Sequence, residues 1–207
     1  METAARPLTR IQQEKREVIL EAALDVFSAN GFRGSTIDQV ADAAGMSKPN
    51  LLYYFRSKEE IHATLMERLL HTWLAPLREF DDGDDPITEI RSYIRRKLEM
   101  ARDFPRESRL FANEILQGAP RIASLLEGEL KQLVDEKARI ITKWMRAGKI
   151  AKADPYHLIF AIWATTQHYA DFDVQVRAVL SPARDGDGRY DDAARFLEQL
   201  FIGCLRI

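Results

Sequence analysis

The sequence predicts an all-α protein, with a small three-helix segment over 13–72 followed by a larger helical segment over 73–207. Three observations predict it. Apolar residues recur at helical spacing, as in Val18, Ile19, Ala22, Ala23, Val26 and Phe27, which form a single stripe. Strand-like alternation is nearly absent. Helix start and stop signals punctuate the chain at Asn30-Gly31, Ser57 to Glu60, Gly118-Ala119-Pro120, Gly148 and Asp154-Pro155.

The first helix ends at Asn30-Gly31, two residues that tolerate the left-handed conformation of a helix C-terminus. Ser35 or Thr36 caps a short second helix whose inner face is Ile37, Val40, Ala41 and Ala44. Gly45-Met46 makes a sharp turn, and Ser47 is placed to cap a third helix over 48–54. Pro49 fits there because the first turn of a helix leaves its N–H positions unpaired anyway. Ser57-Lys58-Glu59-Glu60 reads as a capping box that opens a fourth helix running through Trp73. The acidic stretch 81–85 is a loop. Helices are expected over 86–103, from Pro105 to near Gly118, over 122–147 and over 154–172. The Gly-, Pro- and Asp-rich stretch 181–189 is a loop. A last helix over 190–205 presents Phe196, Leu197, Leu200, Phe201 and Cys204 as its apolar face.

The 207 residues include one cysteine, which excludes an internal disulfide and fits a reducing cytosol. Met1 to Arg10 has no apolar core of a secretory signal, and no apolar run is long enough to span a bilayer, so a cytoplasmic protein is expected. The net charge of −2 argues against a wholly basic nucleic-acid binder, but the charges are segregated. Arg6, Arg10, Lys15 and Arg16 form one basic group, and Lys48, Arg56 and Lys58 form another. The acidic residues gather in 81–85 and 185–192.

Two short helices joined by a glycine-containing turn suit a helix-turn-helix, in which the second helix enters the major groove. Lys48 and Asn50 stand near the start of that helix, where they reach phosphates or base edges. Tyr53 and Tyr54 add phenolic hydroxyls suited to phosphate, while Leu51 and Phe55 face inward. Lys58 adds a cation beside the next helix N-terminus, which itself attracts phosphate. A small bundle with surface tyrosines accommodates the same pattern of helices. The full string Thr36-Ile37-Asp38-Gln39-Val40-Ala41, Gly45-Met46-Ser47, Leu52-Tyr53-Tyr54-Phe55 and Ser57-Lys58-Glu59 goes further. It resembles the DNA-binding domain of TetR-family transcriptional regulators, over roughly 16–70. The resemblance implies a DNA-binding role for Thr36, Lys48, Asn50, Tyr53, Tyr54 and Lys58. It also implies double-stranded palindromic operator DNA as partner, and a homodimer paired through the last two long helices, 154–172 and 190–205. In that family the fourth helix links the two halves, so that a bound effector tilts the reading heads.

The larger segment resembles a branch of the same family that controls pyrimidine utilisation. The resemblance rests on Trp73-Leu74-Ala75-Pro76-Leu77, Ser108-Arg109-Leu110-Phe111, Gly118-Ala119-Pro120, Asp135-Glu136-Lys137 and most of Asp154 to Phe172. It implies a repressor of pyrimidine catabolism released from DNA by uracil or thymine, with no other cofactor. The chain departs from the pattern at Arg56, Asn113 and Gln117, and from Ser181 onward. Trp163 and Gln167, at i and i+4, share one helix face. An indole stacks on a flat heteroaromatic ring, and a carboxamide pairs with adjacent N–H and C=O groups. Trp73 on the linking helix and Phe111 complete the candidate ligand set. The same residues would also serve as plain core or dimer contacts.

A helical-bundle enzyme is the main alternative from another class, and its signals are incomplete. Glu59 and His62 have an iron-binding spacing, but a di-iron site needs a second such motif and further carboxylates. The 81–85 stretch lacks the glutamate of a calcium loop, so no metal is expected. Cys204 on an apolar stripe is expected in the core.

Overall fold

The computed structural model describes residues 9–83, 85–180 and 188–207, and every regular element among them is helical. In order these are α1 (Arg10–Asn30), α2 (Ile37–Ala43), α3 (Lys48–Tyr54), α4 (Lys58–Glu79), α5 (Pro86–Asp103) and α6 (Pro105–Leu116). The short α7 (Ala123–Leu125) runs through a π-helical turn, Leu126–Leu130, into α8 (Lys131–Arg146). Then come α9 (Pro155–Asp171), α10 (Asp173–Leu180) and α11 (Gly188–Leu205). Two units result: one gathers the residues up to Leu69 with Leu110–Arg121, the other Leu70–Arg109 with Ile122–Ile207.

In the first unit, local caps define the helices. Thr9 opens α1 with a capping box to Gln12, and Gly31, at φ 67°, returns its N–H to Phe27 O at 2.8 Å. Thr36, not Ser35, caps α2, in a second reciprocal box with Gln39. Ser35 is buried, and its hydroxyl donates to Gly31 O at 2.6 Å. Gly45, at φ 65°, makes the turn, and Met46 N–H reaches back to Ala41 O at 3.0 Å. Ser47 occupies the cap position of α3, but its side chain makes no capping bond. At the start of α4, Ser57 Oγ accepts from Glu60 N–H at 3.2 Å. The reciprocal half of the expected box is displaced by one residue, because Glu60 accepts from Arg56 N–H at 2.7 Å.

The inner face of α1 is turned slightly from the expected stripe. Ile19, Leu20, Ala23, Leu24 and Phe27 are buried, whereas Val18 is exposed. With Val40, Leu51, Phe55, Ile61 and Met66 they form the core that fixes α2 and α3. α4 continues past Trp73 to Glu79 with Pro76 inside it, close enough to its C-terminus that only the last turn goes without that N–H.

The second unit packs α5 against α9 and α11, with α8 also on α9. Its core includes Tyr93, Ile94, Leu98, Trp144, Ile159, Ile162, Leu197 and Leu205. Asp85 caps α5 and Asp154 caps α9, each with proline in the first turn. The expected 122–147 helix is interrupted by the π turn, and α10 follows α9 where no helix is expected. Of the expected loop 181–189, residues 181–187 lie outside the described set, and Gly188 already begins α11. Arg6 and Asp84 also lie outside it.

α11 carries two apolar faces, not one. Ala193, Leu197, Phe201 and Leu205 face the core, while Phe196, Leu200 and Cys204 are exposed. Cys204 is therefore not a core residue: it lies three residues beyond Phe201 and one before Leu205, on the outward side.

Candidate functional site

α3 is held by its inward side chains and presents the rest. Leu51 and Phe55 are fully buried, as their spacing predicts, and Lys48, Asn50 and Tyr53 are exposed. Tyr53 is 71% exposed, although an aromatic ring on a seven-residue helix would ordinarily be drawn into the core. Its ring meets that of the half-buried Tyr54 edge-on, with centroids 5.1 Å apart. Gln12 of α1 donates to Tyr53 Oη at 3.5 Å.

Arg16, also from α1, braces the end of α3. Its guanidinium lies 3.8 Å over the Phe55 ring, and Nη1 donates to Tyr54 O. α3 is thus clamped at its C-terminal end, with Lys48, Asn50 and Tyr53 exposed along its outer face.

Of the remaining predicted DNA-contacting residues, Lys48, Thr36 and Lys58 already have partners. Lys48 Nζ pairs with Asp38 Oδ2 at 3.0 Å across the α2–α3 turn, in an exposed pair that a phosphate can compete with. Thr36 is exposed, but its hydroxyl accepts from Gln39 N–H in the α2 cap. Lys58 differs most from its expected place. Its ammonium donates to Phe32 O at 2.9 Å and Ser35 O at 2.7 Å, and lies 4.2 Å from the Phe32 ring centroid. It thereby ties α4 to the α1–α2 turn, with one N–H left over. Arg33 and Arg56 are exposed in the same unit. Arg33 stands in the turn after Gly31, where sequence reasoning had looked only for a helix stop.

In the second unit, Trp163, Gln167 and Asp171 follow each other at i, i+4 and i+8 along α9, all half-buried. The Trp163 indole N–H donates to Tyr93 Oη at 2.5 Å, which fixes the ring plane. Burial holds the Tyr93 phenol protonated, with its pKa raised. One turn along α5 from Tyr93 stands Lys97, 2% exposed, its ammonium 4.5 Å from the centroid of the Trp73 ring. Burial depresses Lys97 to a pKa of about 7, against the opposing attraction of Asp171. Asp171 accepts from Ser108 Oγ, and its pKa is raised by burial.

Trp73, Trp163 and Gln167 therefore belong to one unit, in which Trp163 meets Tyr93 and Trp73 meets Lys97 on one face of α5. Phe111 lies in the first unit, on the part of α6 after Arg109. Sequence reasoning missed Lys97, Asp171, Tyr93 and Ser108. The signal for Lys97 was present: it interrupts the apolar series Ile90, Tyr93, Ile94, Leu98, Ala101 on the buried face of α5. Two open clefts of about 200 and 340 Å³ flank the α5 and α11 arginines, and none of these residues lines them. Among the described residues no three His, Cys, Asp or Glu side chains gather to hold a metal, and no helix is long and apolar enough to cross a membrane.

Comparison with known proteins accounts for both units. Residues 19–65 match the family described as bacterial regulatory proteins, tetR family, and residues 66–207 match the YcdC-like protein, C-terminal region. The HTH-type transcriptional regulator RutR of Escherichia coli strain K12 is 46% identical over 198 residues, covering 96% of this chain and 93% of that protein. RutR of Shigella flexneri matches to the same extent. The solved structure of the ketosteroid transcriptional regulator KstR2 of Mycobacterium tuberculosis covers all of both chains with a TM-score of 0.75 at 20% identity. That of AibR in complex with isovaleryl coenzyme A and operator DNA covers 90% of this chain and 97% of its own, with a TM-score of 0.69 at 18% identity. At such identities the two structures establish the fold alone. The braced helix α3, the all-helical unit behind it and the near full-length likeness to RutR together show that this chain belongs to the tetR family, as a helix-turn-helix transcriptional regulator and not an enzyme.

Proposed function

We propose that this regulator represses genes of pyrimidine catabolism and leaves its operator when uracil or thymine binds in the second unit. The observation that carries the proposal is the likeness to RutR along 96% of the chain, which extends through the Trp163 and Gln167 region. The site chemistry supports it. Trp163 is held in a fixed plane by Tyr93, and Gln167 lies one turn away with a carboxamide that matches adjacent N–H and C=O groups. Trp73, on α4, offers a second indole.

Magnitude limits how the site can work. A ligand the size of uracil yields at most about 1.5 kcal/mol per non-hydrogen atom. Micromolar affinity needs about 8 kcal/mol, so most ligand edges must be paired and both ring faces covered. To release DNA, the ligand must also bind the DNA-incompetent form more tightly than the competent one.

On the DNA side, we assign base and phosphate contacts to Lys48, Asn50, Tyr53 and Tyr54, with Thr36 and Lys58 at the flanking helix starts. A single seven-residue reading helix gives little affinity, so two copies on a palindromic operator are the natural solution. The outward apolar faces of α9 and α11 supply the dimer contact: Phe160, Phe196 and Leu200 are 44–61% exposed in the single chain. The protein is assigned to the cytoplasm, where operator DNA and its single reduced cysteine belong.

A thermal-shift series with uracil and thymine, paired with size-exclusion light scattering, tests this reading. Stabilisation by either pyrimidine, on a dimer, is the expected result. No shift at millimolar concentration would remove the pyrimidine effector while leaving the family assignment intact.

A further inference from the structure

A buried ammonium without an anionic hydrogen-bond partner is expensive, and proteins keep one only where something repays it. Lys97 is such a group. Among the described residues it has no hydrogen-bond acceptor. Its neighbours are the face of the Trp73 ring, 4.5 Å away, and the negative field of Asp171. The indole N–H of Trp73 is itself buried and unpartnered. Two donors from α4 and α5 are therefore left without acceptors in the same neighbourhood. Beside them Asp171 accepts only the Ser108 hydroxyl among the described residues, which leaves lone pairs for a second donor.

The placement follows from helix geometry. Tyr93 and Lys97 are one turn apart on α5; Trp163, Gln167 and Asp171 are successive turns of α9. Tyr93 is bonded to Trp163 and α5 packs along α9, so the stripe that carries Tyr93 and Lys97 faces the one that carries Trp163, Gln167 and Asp171. Ordinary core packing explains Tyr93 and Trp163, whose polar atoms satisfy each other. It does not explain Lys97, because an apolar residue there would pack without the cost of desolvating a charge.

We infer that Lys97 and Asp171 form the polar centre of the ligand site, Lys97 donating to a ligand carbonyl and Asp171 accepting the N–H beside it. A donor and an acceptor offered by two facing helices suit a planar cyclic imide or ureide, in which N–H and C=O are adjacent. The unpartnered Trp73 N–H suits a further carbonyl. Such a centre selects against rings whose N–H is replaced by N-methyl and against cytosine-type rings, which present an amino group where the imide has a carbonyl. The inference rests on the reading of this unit as a pyrimidine sensor, and it names the residues that would make that sensor chemically selective.

Isothermal titration of the native protein tests it with uracil, 1-methyluracil, 3-methyluracil, cytosine and the non-pyrimidine imide hydantoin. The variants are Lys97→Met and Asp171→Asn, with melting temperature and circular dichroism as folding controls. Expected are a loss of at least tenfold in uracil affinity in each variant and, on the native protein, a similar loss for one of the two methyluracils and for cytosine. The native-protein arm needs no variant to fold. Uracil binding that both variants retain, or equal binding of both methyluracils, would overturn the inference while leaving the pyrimidine reading in place. Binding of hydantoin but not uracil, lost in both variants, would uphold the inference and remove the pyrimidine reading. Binding of none of the probes by the native protein would overturn both.

Discussion

Replacing His62 by leucine should remove a defined part of the acid sensitivity of the first unit. His62, on α4, is 1% exposed and lies edge-on to Phe27 and Phe32, with ring centroids 5.4 and 4.9 Å away. Its Nδ1 has no partner among the described residues, and Nε2 is 3.8 Å from Glu114 Oε2. Burial is the main cause that lowers its pKa from 6.5 to about 4. Glu114 opposes the shift, but Arg121, bound to the same carboxylate at 2.9 Å, and Lys58 reinforce it. A folded-state pKa below the unfolded one means that the unfolded chain takes up a proton first as pH falls. Stability is therefore lost between pH 6.5 and about 4 and levels off below that. At about 1.4 kcal/mol per pH unit, the loss attributable to His62 is about 3 kcal/mol. Urea denaturation followed by far-UV circular dichroism at half-unit steps would measure it. The wild-type and His62→Leu curves should diverge across that window and run parallel on either side. Parallel curves throughout would show that His62 titrates normally and that the packing argument is wrong.

Tyr53→Ala should weaken operator binding at least tenfold by fluorescence anisotropy while leaving ligand-induced stabilisation unchanged, because Tyr53 is exposed and distant from the core. Gln167→Ala should do the reverse in the same two assays, leaving a protein that binds DNA but no longer responds to uracil. Phe196→Asp, on the outward face of α11, should convert the proposed dimer to monomer by light scattering with little change in helix content, since the ring is 61% exposed. Leu51→Ala should cost about 2–5 kcal/mol of unfolding free energy, as large-to-small changes at fully buried sites do, and operator affinity should fall with it.

The reading unit was legible because its signals are local. Thr36 with Gln39 and Gly45 with Met46 act within a few residues, and the spacing of Leu51 and Phe55 was enough to show which face of α3 turns inward. The partners of Lys58 were hidden for the opposite reason: the carbonyls of Phe32 and Ser35 that hold it are more than twenty residues away. The outward turn of Cys204 and Phe196 was hidden because α11 is apolar on two sides, and helical period alone cannot choose which side meets the core. In the sensor unit, Trp163 and Gln167 stood out by residue type and spacing. Lys97 and Asp171 acquire meaning only when α5 and α9 lie side by side.

The central claim is that one chain couples operator DNA to a pyrimidine. Anisotropy of a labelled palindromic operator, titrated with the protein at several salt concentrations with and without uracil or thymine, tests it most directly. Affinity should fall steeply with salt as phosphate counterions are released, and either pyrimidine should weaken binding further by shifting the protein toward its DNA-incompetent form. Operator binding that is equally tight with and without both pyrimidines, in a protein that they nonetheless stabilise to heat, would contradict the account.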